Sequence, residues 1–141
     1  MFKISIYSPG KNQESWLQEA IQIYEKRLTP YAEIQWHFPK DDVHLESLLA
    51  KHSSYIALDP QGSSLTSESF SEFLMSEGEK RGSRLCFVIG GAEGLTPSLK
   101  KRASHLISLS PLTFTHLITR LILAEQLYRA FTIYHRLPYH K

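Results

Sequence analysis

A chain of 141 residues with 42% hydrophobic content and a net charge of +2 is long enough for one cored domain, and it carries no blanket of basic charge. Its single cysteine, Cys86, excludes an intrachain disulfide framework and fits a reducing compartment. No apolar run approaches the ~18 residues of a membrane span, and the opening MFKISIY is too short for a signal peptide, so a cytoplasmic protein is expected.

Phe2 to Tyr7 alternates apolar and polar residues, with Phe2, Ile4 and Ile6 on one side, and reads as a strand broken by Ser8-Pro9-Gly10-Lys11-Asn12. Gln13 to Leu28 carries Trp16, Leu17, Ala20, Ile21, Tyr24 and Leu28 at helical spacing, and Thr29-Pro30 stops it. Glu33 to Phe38 is a second strand. Asp41 or Asp42 caps a helix running to about Lys51. Tyr55 to Leu58 is a short strand ended by Asp59-Pro60-Gln61-Gly62. A helix spans about Thr66 to Lys80, with Phe70, Phe73 and Leu74 inward, and Gly82 punctuates it.

Arg84 to Ile89 is almost continuously apolar, as in a strand covered on both faces, so packing accounts for Cys86. Gly90-Gly91-Ala92-Glu93-Gly94 follows, and then Thr96-Pro97 opens another helix. His105 to Leu109 is the last strand. After a Ser-Pro-Leu-Thr-Phe-Thr turn comes the most hydrophobic helix of the chain. Leu117, Leu121, Ala124, Tyr128 and Phe131 form one stripe, Ile118 and Ile122 a second side, and Leu123 and Leu127 a third. A helix apolar nearly all round must be buried on several faces, and a partner subunit is the expected cover. Arg120 shares the side of Leu123 and Leu127, one turn from His116, which is an odd place for an unpaired charge. Loop, helix and charge together read as a site at a subunit boundary. Glu125 and Arg129 are spaced to pair along the helix, and the tail from His135 to Lys141 has no periodicity.

Strand and helix alternate five times, which implies an α/β fold. The expected architecture is a single domain over 1–141, a largely parallel sheet and helices on both faces. Ligands of such sheets bind at the carboxyl ends of the strands, so the loops after Leu58, Ile89 and Leu109 should build the site. Gly90-Gly91 lets a flat ligand lie on main chain, and Leu109 to Phe114 offers backbone groups and apolar walls suited to an adenine ring. No Walker sequence, dinucleotide fingerprint, zinc spacing or G-x-S-x-G elbow is present.

The motifs L-D-P-x-G (Leu58 to Gly62), I-G-G-A-E-G (Ile89 to Gly94), L-S-P-L-T-F-x-H (Leu109 to His116), R-x-x-L-x-E-Q-L-Y-R-A (Arg120 to Ala130) and a terminal P-Y-H-K span the chain in order. Together they resemble the bacterial large-subunit ribosomal RNA pseudouridine N3-methyltransferases of the SPOUT class. The resemblance implies a carboxyl-terminal trefoil knot, a homodimer, no metal, and S-adenosylmethionine held by Leu58, Gly90, Gly91, Leu109, Ser110, Pro111, Leu112, Thr113 and Phe114. It implies a pseudouridine of 23S ribosomal RNA as target, met in the assembled ribosome. Deprotonating N3 needs a base or a group that stabilises the developing anion. His140 is the candidate base and Tyr139 the candidate stacking or hydrogen-bonding group, with His116 and Arg120 near the cofactor. Lys11, Arg129, Arg136, His140 and Lys141 are candidate RNA contacts. Lys141 stands where the family commonly ends in arginine, which keeps the charge and loses the fork. The alternatives are a SPOUT enzyme acting on another RNA nucleotide and a non-catalytic dimer that docks on ribosomes.

Overall fold

Among the described residues, 1–11 and 14–141 of the computed structural model, five strands and five helices alternate along the chain. Asn12 and Gln13, expected in the first turn and at the start of the first helix, lie outside the described residues. The strands β1 (Phe2–Tyr7), β2 (Ala32–His37), β3 (Ile56–Ser64), β4 (Arg84–Ile89) and β5 (His105–Ser108) form one sheet in the order β2-β1-β4-β3-β5. Every neighbouring pair is parallel, as expected from the alternation.

The helices are α1 (Ser15–Leu28), α2 (Asp42–Leu49), α3 (Ser67–Lys80), α4 (Pro97–Arg102) and α5 (His116–Tyr134). Four of them begin on a side-chain cap. Asp41, Thr66, Thr96 and Thr115 each accept a hydrogen bond from the backbone N–H three residues on, and Ser69 returns a bond to Thr66. Each such cap is worth about 1 kcal/mol.

Strand alternation divides the apolar residues between two cores. Ile4, Ile6, Leu85, Phe87 and Ile89 point towards the layer that holds α1, α3 and α5, where they meet Leu28, Phe70, Leu74, Leu123, Leu127 and Phe131. Tyr7, Cys86 and Val88 point the other way, onto Leu45 and Leu49 of α2 and Leu99 of α4. Helices therefore cover both faces. Burial pushes the Cys86 thiol up to about 12, so it packs as a small apolar group.

Three expectations change. The break at Asp59-Pro60-Gln61-Gly62 does not end β3. Pairing with β5 slips between Leu58 and Ser63, the four residues bulge out of the ladder, and the strand resumes at Ser63 and Ser64. Trp16 is 54% exposed, since α1 buries only Leu17, Ile21 and Leu28 in this chain. On α5, the buried face carries Arg120, Leu123, Ala124, Leu127, Ala130 and Phe131, while Leu117, Leu121 and Tyr128 are only half-buried.

The Tyr7 hydroxyl hydrogen-bonds to His52 Nε2 at 2.9 Å, and its ring stacks on His37 with centroids 4.4 Å apart. Burial lowers both histidine pKa values, and the neighbouring His37 and Lys51 charges lower that of His52 further. Below the ordinary histidine value near 6.5, the unfolded chain therefore takes up protons that the native chain refuses. The sign of the linkage follows: stability falls as pH drops through that value. We expect the urea midpoint to be lower at pH 5.5 than at pH 7.5, and His52→Gln to flatten the difference.

Candidate active site

Because all five strands run the same way, the loops after Leu58, Ile89 and Ser108 meet at one edge of the sheet. They enclose a cavity of about 400 Å³, within the range of small-molecule sites. Leu58, Gly90, Gly91, Leu109, Ser110, Leu112, Thr113 and Phe114 all line it, and so does His116 at the first turn of α5. Pro111 does not, although its neighbours on both sides do.

Each loop is shaped locally. Gly94 N–H donates to Gly91 O at 3.0 Å, and Gly94 has a φ of +80°, which closes the second loop into a tight turn. A Cβ on Gly90 would lie 2.6 Å from the Gly94 carbonyl carbon and 2.7 Å from Leu95 N, so no other residue fits there without moving backbone. In the third loop the Ser108 hydroxyl donates to Ser110 O at 2.8 Å and accepts from Ser110 N–H at 3.2 Å. Ser110 Oγ then accepts from Leu112 N–H at 3.0 Å. The sequence does not mark Ser108, because its hydroxyl works on main chain and leaves no motif of its own.

Among the lining side chains, the only formal charge is Asp59, which faces Lys100 at 3.4 Å and accepts from Gln61 N–H at 3.0 Å. Burial and the nearby Arg120 charge lower the His116 pKa, which leaves a neutral imidazole at the cavity wall. The cavity thus offers backbone groups, hydroxyls and apolar surface without a cation to clamp phosphate. That donor set fits an adenosine carrying a positive centre and disfavours a nucleoside polyphosphate.

Arg120 does not line this cavity. Its side chain is fully buried and reaches back to the loop after β1, where Nε donates to Ser8 Oγ at 2.7 Å. Nη2 donates to the carbonyls of Ser8, Pro9 and Gly10 at 3.3, 3.0 and 2.8 Å. The guanidinium also lies over the Phe38 ring, 4.7 Å from its centroid. Burial pulls its pKa down to about 10, still far above neutrality, so the group stays charged. The loop it holds touches the cavity wall from behind: a Cβ on Gly91 would sit 3.6 Å from Pro9 Cβ, and one on Gly10 would sit 3.6 Å from His116 Nε2.

The tail docks elsewhere. Tyr139 OH donates to Glu125 Oε2 at 2.7 Å, and its ring lies 4.9 Å from the Arg129 guanidinium and 4.8 Å from the Tyr128 ring. Arg129 pairs with Glu125 at 2.8 Å, the i,i+4 pair expected from the spacing. It also meets His140 Nδ1 at 2.9 Å, while His140 Nε2 faces Glu68 Oε1 at 3.0 Å. Arginine has no acceptor, so Nδ1 accepts and Nε2–H donates to the carboxylate. Burial, the Glu125 hydrogen bond and the Tyr24 contact raise the Tyr139 pKa, which keeps its hydroxyl protonated. Neither Tyr139 nor His140 lines the cavity. Their partners on α5 lie about 9–15 Å further along the helix than Thr119 of the cavity wall, at 1.5 Å per residue.

A family model described as predicted SPOUT methyltransferase matches residues 2–140. The ribosomal RNA large subunit methyltransferase H of Protochlamydia amoebophila is 51% identical over the full length of both chains. The protein of the same name from Synechococcus is 42% identical, over 96% of this chain and 94% of its own. Among solved structures, a methylase family protein from Haemophilus influenzae superposes with a TM-score of 0.60 at 10% identity, over 98% of this chain and 70% of its own. A methyltransferase from Legionella pneumophila, solved with SAM bound, superposes with a TM-score of 0.52 at 12% identity, over 92% of this chain and 66% of its own.

Proposed function

The chain belongs to the SPOUT methyltransferase family, within the group of ribosomal RNA large subunit methyltransferase H, and from that premise we propose that it methylates N3 of a pseudouridine in 23S ribosomal RNA on the assembled ribosome. S-adenosylmethionine is the methyl donor in this reading, as the SAM-bound Legionella neighbour supports. The observation that carries it is the cation-free cavity built from the three loops at the carboxyl edge of the sheet. The reading takes the chain as one cytoplasmic domain whose segment after β5 is threaded as a trefoil knot. Among the described residues no helix is long and apolar enough to cross a membrane.

When bound, S-adenosylmethionine supplies a methyl group that is electrophilic without a metal. Leu58, Gly90, Gly91 and the run Leu109 to Phe114 hold it, with backbone amides and carbonyls for the polar edge of adenine and apolar walls for its faces. Pro111 contributes by fixing the turn between lining neighbours. His116 stands at the rim as a neutral hydrogen-bonding group, and Arg120 positions the loop behind Gly91 without touching the reactants. His140 takes the N3 proton, and the protonated Tyr139 donates to or stacks on the target base. In the docked tail both ring nitrogens of His140 are engaged, so Nδ1, which holds the free lone pair, must exchange Arg129 for the substrate before it can take the proton.

The active unit in this reading is a homodimer. It is supported by the half-buried Leu117, Ile118, Leu121 and Tyr128 on α5, by exposed Trp16 and Ile23 on α1, and by a tail that stays away from its own cavity.

Gly90→Ala tests the cofactor site directly. The added methyl meets backbone that cannot rotate away, so we expect S-adenosylmethionine binding by calorimetry to weaken about a hundredfold, the equivalent of about 3 kcal/mol of lost fit. Binding that stays within twofold would remove the loop from the site. The reaction itself is tested by transfer from labelled S-adenosylmethionine to 70S ribosomes, to ribosomes lacking the pseudouridine, and to free 23S RNA. Label on the first and little on the others is the expected result. Equal label on ribosomes without the pseudouridine would move the target to another nucleotide, and cofactor binding with no transfer to any of the three would point to a different RNA.

A further inference from the structure

We propose that a basic trough at the amino-terminal ends of β1 and β4 is a second contact with the RNA substrate and grips its phosphodiester backbone. The proposal rests on the reading of the chain as an RNA methyltransferase. The trough is a cavity of about 550 Å³ at the opposite edge of the sheet from the cofactor loops. The five steps from Arg84 to Ile89 along β4 separate the two sites by about 17 Å, at 3.3 Å per residue.

Its charge is concentrated and one-signed. Lys3, Lys51, Lys80, Arg81 and Arg84 line it, five of the 16 basic side chains of a chain whose net charge is only +2. No carboxylate is among its lining residues. Lys80 and Arg81 share the buried carboxylate of Glu77 at 3.7 and 3.3 Å. Among the described residues, Lys3, Lys51 and Arg84 have no such ion pair, and Glu33, the register neighbour of Lys3, accepts from Gln35 Nε2 at 3.2 Å. Burial lowers the His52 pKa, so its ring adds no charge at neutral pH.

The sheet register sharpens the point. Lys3 and Arg84 are direct partners across the β1–β4 ladder. Like charges side by side on a sheet oppose folding, and a bound polyanion removes the penalty. Further along that sheet face, α2 and α4 pack over Tyr7, Ala57 and Val88. At the Lys3 and Ser5 end the cavity lies open over the strands, floored by Ile4, Leu85 and Cys86. Hydroxyls of Ser5, Ser53 and Ser54 add neutral phosphate donors, and no Phe, Tyr or Trp lines the trough to stack a base. The trough therefore suits a sugar-phosphate backbone read without sequence.

The test is the triple variant Lys3→Gln, Lys51→Gln, Arg84→Gln in the full chain. All three side chains are exposed, and removing the Lys3–Arg84 repulsion should leave Tm unchanged or raise it. For 23S RNA, the slope of log binding constant against log salt should shrink by about two to three, one phosphate contact per cation. The ribosome KM should rise about tenfold, with kcat and the S-adenosylmethionine Kd within twofold of wild type. A wild-type slope and KM in the variant would overturn the trough while leaving the methyltransferase reading standing. Loss of inorganic phosphate binding with the RNA slope intact would make it a small-anion site and overturn it equally. A wild-type protein that neither binds 23S RNA nor methylates ribosomes would remove the enzyme reading and the trough with it.

Discussion

Arg120→Met should destabilise the protein by about 3–5 kcal/mol, because the Ser8 hydroxyl and the carbonyls of Ser8, Pro9 and Gly10 are left without their donor inside the fold. Four hydrogen bonds disappear at once, and the fully buried Ser8 loses partners on both its hydroxyl and its carbonyl. Whole domains are held by about 5–15 kcal/mol, so the variant should be close to its threshold and accumulate poorly. Arg120→Lys is the sharper measurement. Lysine keeps the charge but cannot direct Nε at Ser8 and a second nitrogen at three carbonyls. We expect a urea midpoint between those of wild type and Arg120→Met, together with weaker S-adenosylmethionine binding, because Pro9 and Gly10 back onto Gly91 and His116. A lysine variant of wild-type stability that has lost only turnover would show that Arg120 touches the reactants instead.

The cavity at the carboxyl edge of the sheet is legible in the sequence because a general rule does most of the locating. Alternating strands and helices give a parallel sheet, and a parallel sheet puts its ligand loops at one edge. The rule places the loops, and the individual residues come from the family resemblance: eight of the nine it implies for the cofactor line the cavity. Spacing alone shows Arg120 only as an anomaly, since its partners are the Ser8 hydroxyl and three main-chain carbonyls about 110 residues away, and these carry no sequence signal. Proline and glycine mark a break in the ladder without saying whether the strand stops or bulges, hence the misreading at Asp59 to Gly62. Helical periodicity likewise reports that residues are apolar and not what covers them: Trp16 shares the helical spacing of Leu17 and Ile21 and is exposed in this chain. The basic trough was hidden for another reason. Its cations come from three separated stretches of chain, and a net charge of +2 averages them away.

In the proposed homodimer the tail could serve its own cavity or its partner's, and mixed dimers separate the two. His140→Ala should lower kcat about a hundredfold or more, the usual weight of a general base, with cofactor binding unchanged. Gly90→Ala should fail through the cofactor instead. Neither homodimer works, yet a dimer with one subunit of each kind keeps one intact cavity and one intact tail on different chains. If each tail completes the partner's cavity, those two meet, and random mixing of equal amounts restores about a quarter of wild-type turnover. If the tail folds back on its own cavity, no mixed dimer holds a complete site and nothing is restored. The contacts of Tyr139 and His140 favour the first outcome, because Glu125, Arg129 and Glu68 hold the tail away from the cavity of its own chain. Glu68→Gln should then ease His140 out of its docked position and raise kcat, whereas a tail that acts where it is docked would lose activity with the same change.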